Sequence, residues 1–376
     1  MSLTRPVSPR HAAFALVGDA TGSSRALRQI RALTDDGWSV SLLQTAPPRE
    51  AGALPHRVDL AVAEVEGAGP RMFWRAHRTL TRAIAEIEAD LYLASDLYAL
   101  PALARAARQR GAALVYDSRE LYAALDSSHG RPWVSTVWSA VERRFIHQAD
   151  AMLTVGDAIA DRLEARYRID RPTVLYNAPE PLPSPDRTAL RRELSLPDDG
   201  RMVVLYQGLF REGRGLHALT EAAGVVDGVR LVMIGEGALR GDLEAAREKL
   251  GDRLVLHPFV PPDRLARLTP GADLGACLIE PLTESLRLSL PNKLFEYLAA
   301  GVPVLASPLP EIARVVDRGV GALADPSDPA AVADALRRSL DPARRSEWHD
   351  RCASALAPYT WTRGRAAFLD LLNRLA

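Results

Sequence analysis

Short apolar runs alternate with helical stretches along both halves of the sequence, and this alternation most constrains the fold. Ala12–Val17 reads as a first strand followed by a helix, and Met202–Tyr206 begins the same plan again in the second half. Strands that alternate with helices predict parallel sheets built from βαβ units. Because 376 residues exceed one typical domain, we expect an α/β chain with two parallel-sheet domains.

A proline-dense segment, NAPEPLPSPD, lies between the two halves at residues 177–186. Proline at this density is typical of a stiff, exposed connector. We therefore predict a first domain over 1–178 and a second over 179–358. The remaining stretch, 359–376, is predicted to form a terminal helix.

Charge and cysteine content exclude several classes of protein. Basic and acidic side chains number 47 each, so no nucleic-acid partner is expected. No apolar run reaches the ~18 residues of a membrane span, and the short N-terminal run fits a strand better than a signal peptide. Cys277 and Cys352 lack metal or redox spacing, which predicts a reduced, cytoplasmic protein.

The stretch LPNKLFEYLAAGVPVLAS, residues 290–307, predicts a short helix that leads into a buried strand. Ser289 is placed to cap the helix, Pro291 suits its first turn, and Gly301 is expected to end it. Lys293 and Glu296 share one face near the helix N-terminus, where phosphate groups bind readily. An ordinary surface pair at i, i+3 would give the same pattern.

Lysine is scarce in this chain, since Lys249 and Lys293 are its two lysines among 47 basic residues. A chain so rich in arginine is expected to use arginine at indifferent surface positions. Lysine at position 293 therefore favours a site that needs a compact ammonium group rather than a planar guanidinium.

Polar residues follow the predicted strands of the first half, where ligands bind in open α/β sheets. The loop GDATGSSR places Gly22 four residues after Gly18, which matches neither a dinucleotide fingerprint nor a P-loop. Asp96 follows one strand, and Asp117, Arg119 and Glu120 follow the next. Carboxylates at such positions hold sugar hydroxyls, act as bases, or cap the next helix, and the pattern alone leaves these alternatives open.

The second half places two arginines after its first strand, in the loop GLFREGRG. Together with Lys293, Arg211 and Arg214 would neutralise a diphosphate, although solvated loop arginines would look the same. No D-x-D triplet and no His, Cys or carboxylate cluster with ligand spacing occurs. We therefore expect no metal and no cofactor.

Several segments together resemble one known family over most of the chain. They are SSRALRQIRALTDDGWSV, YDSRELY, VLYNAPE, VLYQGLFREGRGLHALTEA, VMIGEG, LPNKLFEYLAAGVPVLAS and YTWTRGRAAFLDLL. The chain is similar to the family 4 (group 1) glycosyltransferases with the GT-B fold, in the branch that carries PNKLFEY. This resemblance implies two Rossmann-like domains facing across a cleft, with a terminal helix that crosses back to the first domain.

The resemblance also implies an activity: transfer of a sugar, with retention, from a nucleotide-diphosphate-sugar to a saccharide, lipid-linked or small-molecule acceptor. Such enzymes serve polysaccharide or glycoconjugate biosynthesis. Arg214 and Lys293 then stabilise the leaving diphosphate as the catalytic residues. The implied donor-binding residues are Gly208, Arg211, Gly235, Gly237, Pro291, Asn292 and Glu296. The implied acceptor-side residues are Gly22, Asp96, Asp117, Arg119 and Glu120.

Three positions depart from the family pattern. Leu288 replaces a common glutamate, Leu209 stands where many members have arginine, and Arg119 stands where histidine is usual. Arg211 would substitute for the arginine missing at 209. These departures leave two alternatives open: a nucleotide-sugar epimerase on the same fold, and a non-catalytic binding or scaffold protein.

Two amphipathic stretches mix tryptophan with arginine, RMFWRAHRTLTRAI from Arg71 and RPWVSTVWSAVERRF from Arg131. Such helices lie on anionic membranes, which predicts peripheral contact with the inner face of the membrane. Core packing on one face, with a solvated basic face opposite, is the alternative.

Overall fold

The computed structural model describes residues 10–49, 54–65, 70–124 and 132–375. The chain divides into unit 1, Met1–Asn177 with Trp361–Ala376, and unit 2, Ala178–Thr360. Arg131 and the side chains of Arg71 and Trp133, which belong to the predicted amphipathic stretches, lie outside the described residues.

Unit 1 is an α/β unit with one parallel sheet. Its strands are β1 (His11–Leu16), β2 (Ser39–Gln44), β3 (Val58–Val62), β4 (Leu91–Ala94), β5 (Ala113–Ser118), β6 (Ala151–Thr154) and β7 (Thr173–Val174). Its first helices are α1 (Ser24–Asp35), α2 (Pro70–Ala85), α3 (Leu100–Arg110), α4 (Pro132–Phe145) and α5 (Asp157–Tyr167). The seven strands lie in the order β3-β2-β1-β4-β5-β6-β7, and every pair is parallel.

Unit 2 repeats this plan with six strands. They are β8 (Met202–Gln207), β9 (Val229–Ile234), β10 (Leu254–His257), β11 (Leu274–Cys277), β12 (Val304–Ala306) and β13 (Gly321–Leu323), in the order β10-β9-β8-β11-β12-β13. Its helices are α6 (Ala189–Glu193), α7 (Leu216–Val225), α8 (Arg240–Leu250), α9 (Pro262–Leu268), α10 (Glu284–Arg287), α11 (Asn292–Ala299), α12 (Pro310–Val316), α13 (Pro329–Ser339) and α14 (Pro342–Leu356). The expectation of two parallel-sheet α/β domains is confirmed.

The last helix, α15 (Trp361–Asn373), belongs to unit 1. Its residues Phe368 and Leu372 are fully buried and join the same apolar cluster as Leu33 of α1 and Leu175. Burial of two such side chains contributes roughly 3–6 kcal/mol. Unit 1 is therefore assembled from two separate parts of the chain.

Both sheets change direction at their first strand. The chain moves from β1 through β2 and β3 on one side and then crosses to β4 on the other, and β8 relates to β9 and β11 in the same way. Ligands in open α/β sheets bind beyond the carboxyl ends of the strands at such switch points. We therefore expect a ligand site at the carboxyl ends of β1 and β4 in unit 1, and at those of β8 and β11 in unit 2.

Candidate functional site

Helix α11 carries the predicted lysine and glutamate of unit 2. The helix begins at Asn292, and Pro291 precedes it with extended backbone at the N-cap. Leu294 is fully buried, whereas Lys293 and Glu296 are partly exposed. Burial of Leu294 in the core therefore leaves the two charged residues together on a different side of the helix, as the sequence predicts.

The predicted capping role of Ser289 is wrong. Its hydroxyl donates to the carbonyl of Leu286 at 2.8 Å, because Ser289 closes the turn that follows α10. Pro291 occupies the N-cap position of α11 rather than its first turn. The proline ring offers no oxygen to the N–H groups that begin the helix.

The ammonium group of Lys293 lies 3.8 Å from the centre of the Tyr206 ring. The pKa of Lys293 is lowered to about 8, mainly because burial disfavours the charged ammonium group; the charges of Arg214 and Arg211 also lower it, whereas Cys277 and Glu296 oppose this change. Each of the two arginines is thus close enough to Lys293 to repel its ammonium group. An anion placed among them would relieve this repulsion.

A residue of the sheet holds the carboxylate of Glu296 in place. The side-chain amide of Gln207, the last residue of β8, donates to Glu296 Oε2 at 2.6 Å. The other end of the amide, Oε1, accepts from the hydroxyl of Thr269 at 3.0 Å. Gln207 is only 2% exposed, so a buried amide fixes this carboxylate at the switch point.

The loop after β8 packs directly on the glycine turn after β9. Phe210 N donates to Glu236 O at 2.7 Å, and Leu239 N donates to Phe210 O at 3.0 Å. A Cβ atom at Gly235 would overlap the carbonyl oxygen of Gly208, and one at Gly237 would overlap that of Phe210. Glycine is required at 235 and 237 because only glycine permits this approach of two backbones.

Arg214 immediately precedes the N-cap of α7, which is Gly215 with a φ of 61°. The carboxylate of Glu280, which follows β11, accepts a hydrogen bond from Gly215 N at 2.9 Å. A Cβ at Gly215 would lie 2.7 Å from that of Leu278. Leu209, at the position where arginine is common, is 62% exposed.

In unit 1, Asp96 joins the ends of β1 and β4. Its Oδ2 accepts from Val17 N at 2.7 Å, its Oδ1 accepts from Ala99 N at 2.8 Å, and Arg119 lies 3.6 Å away as an ion-pair partner. Burial raises the pKa of Asp96, while Arg119 and the two backbone donors oppose this shift. Asp96 is 1% exposed, so it shapes the switch point mainly by holding its neighbours.

Asp117 lies in the core of unit 1 and not on an exposed acceptor surface. It is fully buried, and its two carboxylate oxygens accept from Arg25 Nε and a terminal Arg25 nitrogen, each at 2.7 Å. Gln29 also donates to it, at 2.8 Å. Asp117 is the second-to-last residue of β5 and does not lie in the loop after it, which explains the burial. Gly22 and Glu120 are exposed.

Sequence reasoning missed an aromatic cluster beside Arg119. Tyr98 stacks on Phe73 with ring centres 4.4 Å apart, and Tyr122 and Trp138 meet Tyr98 edge-on at 5.5 and 4.8 Å. Burial raises the pKa of Tyr122 well above its usual value, and the Arg119 charge opposes the rise. Tyr98 and Tyr122 each follow a strand end, so the rule applied to the carboxylates could have found them.

Two family models match this chain. The one described as a glycosyl transferase 4-like domain covers residues 21–178, and the one described as glycosyl transferases group 1 covers residues 201–341. The chain belongs to the group 1 glycosyl transferases. The first matched segment ends one residue past Asn177, the last residue of this part of unit 1, and the second lies within unit 2. The group 1 model therefore covers Arg211, Arg214 and Lys293.

Curated relatives of this chain match over part of their length. A D-inositol 3-phosphate glycosyltransferase of Xylanimonas cellulosilytica is 33% identical over 205 residues, which are 52% of this chain and 48% of that protein. A 2-deoxystreptamine glucosyltransferase of Streptomyces kanamyceticus is 28% identical over 218 residues, 54% of each chain. The chain thus spans about half the length of the curated relatives that it matches.

Solved structures of similar fold match this chain over nearly its whole length. Anabaena HepE in complex with UDP has a TM-score of 0.74 at 18% identity, covering 97% of this chain and 100% of that one. Sucrose-phosphate synthase of Thermosynechococcus elongatus has a TM-score of 0.78 at 18% identity, covering 97% and 99%. At these identities the similarity establishes the fold, which is GT-B.

The described residues contain neither a candidate metal site nor a candidate membrane span. Within those residues, no group of three or more His, Cys, Asp or Glu side chains could hold a metal ion. Nor does any helix in the described ranges have the length and apolar character needed to cross a membrane.

Proposed function

We propose that this chain transfers a sugar from a nucleotide-diphosphate-sugar to an acceptor hydroxyl. The observation that carries the proposal is the set of side chains gathered at the end of β8. Lys293 lies 3.8 Å from the centre of the Tyr206 ring, Gln207 binds Glu296 at 2.6 Å, and the loop that follows the strand carries Arg211 and Arg214. A diphosphate would neutralise the three cations, while Glu296 would accept hydrogen bonds from the donor's ribose or sugar. The UDP and UDP-glucose complexes of Anabaena HepE support a nucleotide-sugar as the ligand.

The chemistry follows from charge that develops on the leaving group. As the glycosidic bond breaks, negative charge grows on the diphosphate, and Arg214 and Lys293 stabilise it more in the transition state than in the ground state. We propose that the transfer retains the anomeric configuration by a front-face route and uses no protein nucleophile. Because arginine and lysine supply the neutralising charge, we expect turnover to persist in EDTA.

The acceptor is proposed to bind unit 1, near Gly22, Asp96, Arg119 and Glu120. The named acceptors of the relatives, an inositol phosphate and an aminocyclitol, support a polar acceptor that carries hydroxyl groups: a saccharide, a small molecule or a lipid-linked sugar. We place the enzyme in the cytoplasm, with α2 in contact with the inner membrane surface. Biosynthesis of a polysaccharide or glycoconjugate is the corresponding role.

The test is donor binding and turnover with a panel that includes UDP-glucose, UDP-N-acetylglucosamine and GDP-mannose. We expect one of them to bind in calorimetry, and Lys293→Ala to reduce turnover by roughly 100-fold or more, since a charge-assisted contact is lost. Lys249→Ala is the matched control, because Lys249 is exposed on α8. Turnover of Lys293→Ala within a few-fold of wild type would contradict the assigned role of Lys293.

The same panel separates the alternatives. A change in donor stereochemistry without acceptor would identify an epimerase. Failure of every donor to bind would favour the non-catalytic protein. NMR analysis of the anomeric proton in the product reports whether configuration is retained.

A further inference from the structure

In unit 2, β8 and β11 stop pairing before their carboxyl ends, and the side chain of Tyr297 fills the gap between the two strands. β11 pairs with β8 at Leu274 and Gly275. Beyond that point the Tyr297 hydroxyl donates to Leu205 O at 3.0 Å and accepts from Gln207 N at 3.1 Å. The backbone of β8 thus bonds to a side chain of α11 where a neighbouring strand would otherwise bond. This contact sets the position of α11 against the end of β8.

The last two residues of β8 each contact one functional side chain of α11. The Tyr206 ring lies under the ammonium group of Lys293, at 3.8 Å from the ring centre. The Gln207 amide donates to Glu296 at 2.6 Å. Lys293 and Glu296 are three residues apart and therefore lie on the same face of α11, so both contacts are made by one face of the helix.

The two strand residues that make these contacts, Tyr206 and Gln207, are both held in fixed positions. Tyr206 is 1% exposed, and its hydroxyl donates to Leu209 O at 2.7 Å. Gln207 is 2% exposed, and Thr269 donates to its Oε1 at 3.0 Å. Lysine and glutamate side chains lose considerable rotamer freedom when they are ordered. A fixed ring and a fixed amide limit that freedom before any ligand arrives.

We propose that Tyr206 and Gln207 are positioning residues that hold Lys293 and Glu296 ready for the diphosphate and the sugar of the donor. The inference rests on the proposed function. It adds two residues that do not themselves contact the donor and whose effects run entirely through α11. Preorganised groups bind more tightly because less ordering remains to be done on binding.

Gln207→Leu tests the amide. We expect the tightest-binding donor of the nucleotide-sugar panel to bind roughly 3- to 10-fold more weakly, as for one long side chain that must be ordered on binding. Because Gln207 acts through Glu296, the same substitution in a Glu296→Gln background should cause little further loss. Gln29→Leu is the matched control, since it removes an equally buried amide from a carboxylate in unit 1, and donor affinity should not change.

Tyr206→Leu and Tyr206→Phe test the ring. The phenylalanine keeps the π face, so donor affinity should stay within about three-fold of wild type, whereas leucine should weaken it by roughly 3- to 30-fold. A second measurement is independent of any donor. In ¹³C-lysine-labelled protein, ring current should shift the Lys293 Cε protons upfield from those of Lys249 in wild type and in Tyr206→Phe, and Tyr206→Leu should abolish this shift.

The results of these binding measurements distinguish a failure of the positioning roles from a failure of the proposed function. If wild type binds no nucleotide-sugar, the proposed function falls, and the positioning roles fall with it. If wild type binds a donor and both leucine variants bind it within two-fold of wild type, only the positioning roles are overturned. Independent, multiplicative losses in the Gln207 and Glu296 double variant would overturn the positioning role of Gln207, because they would show that Gln207 does not act through Glu296.

Discussion

Lys293 is a cation whose position costs stability in the absence of an anion. Burial lowers its pKa from 10.5 to about 8 in the folded protein, whereas the unfolded chain keeps the ordinary value. Between these two values the unfolded state binds more protons, so this residue makes the free energy of unfolding rise with pH. The loss of stability that the buried charge of Lys293 causes has its full size below about pH 8 and disappears as the pH approaches 10.5.

We therefore predict that Lys293→Met is more stable than wild type near pH 7, by on the order of 3 kcal/mol. The difference should shrink as the pH rises from 8 towards 10.5. Urea unfolding of both proteins at several pH values measures it, and groups common to both cancel in the comparison. Lys249→Met is the control, because its exposed side chain should give the same small difference at every pH. An advantage of Lys293→Met that does not change with pH would contradict the prediction.

Which charged residues meet was only partly predictable from the sequence. Lys293 and Glu296 share a helix face, and helical periodicity suffices to place them together. Arg25 and Asp117 are 92 residues apart, and Gln207 and Glu296 are 89 apart. No periodicity relates such pairs, since they depend on the order of strands in a sheet. For this reason Asp117 was expected at an open strand end although it lies in the core.

At the scale of elements, the position of α11 depends on a glycine in the neighbouring strand. A Cβ at Gly275 in β11 would overlap the ring of Tyr297. Tyr297 in turn bridges Leu205 and Gln207 of β8. A single methyl group on β11 would therefore displace the helix that carries Lys293 and Glu296.

Gly275→Ala is predicted to destabilise unit 2 by roughly 1–3 kcal/mol, as for overpacking in a core, and to weaken donor binding at the same time. Gly241→Ala is the matched control in α8, where an added Cβ meets nothing within 4 Å. It should be neutral or slightly stabilising, because alanine favours a helix over glycine. Thermal melts and calorimetry with the donor measure both effects. Gly275→Ala with wild-type donor affinity would show that α11 does not depend on this contact.

The strands were easier to predict than the helices. Residues of β8 and β9 are all buried, and such continuous apolar runs are the mark of parallel strands covered on both faces. Helix α14 was missed because its 15 residues bury only Cys352, Ala355 and Leu356, which leaves a weak amphipathic pattern.

At the scale of the whole molecule, the two units share a plan but present different chemistry at their switch points. Unit 2 gathers cations at the end of β8. Unit 1 places the Asp96–Arg119 ion pair and an aromatic cluster at the ends of β4 and β5. This division agrees with the proposal of a diphosphate-bearing donor on unit 2 and a hydroxyl-bearing acceptor on unit 1. The resemblance to a family predicted the division, whereas composition did not.

Helix α2 of unit 1 presents a face suited to an anionic surface. Trp74 is 59% exposed, and the Arg78 guanidinium lies 4.6 Å from its ring centre. Arg75 and Arg82 are exposed on the same helix, which has no acidic residue between 70 and 85. Basic residues near an anionic membrane contribute about 1 kcal/mol each, and an exposed tryptophan lies at the lipid interface.

We predict that the protein sediments with vesicles of phosphatidylcholine mixed with phosphatidylglycerol, and much less with phosphatidylcholine alone. Arg78→Gln with Arg82→Gln should lower the partition coefficient roughly 30-fold, and raised salt should lower it for wild type. Arg337→Gln with Arg338→Gln is the control, because it removes the same charge from the exposed end of α13 in unit 2. Equal loss in both double variants would mean that net charge, and not the α2 face, governs the attraction. Equal binding of wild type to both kinds of vesicle would contradict an electrostatic contact altogether.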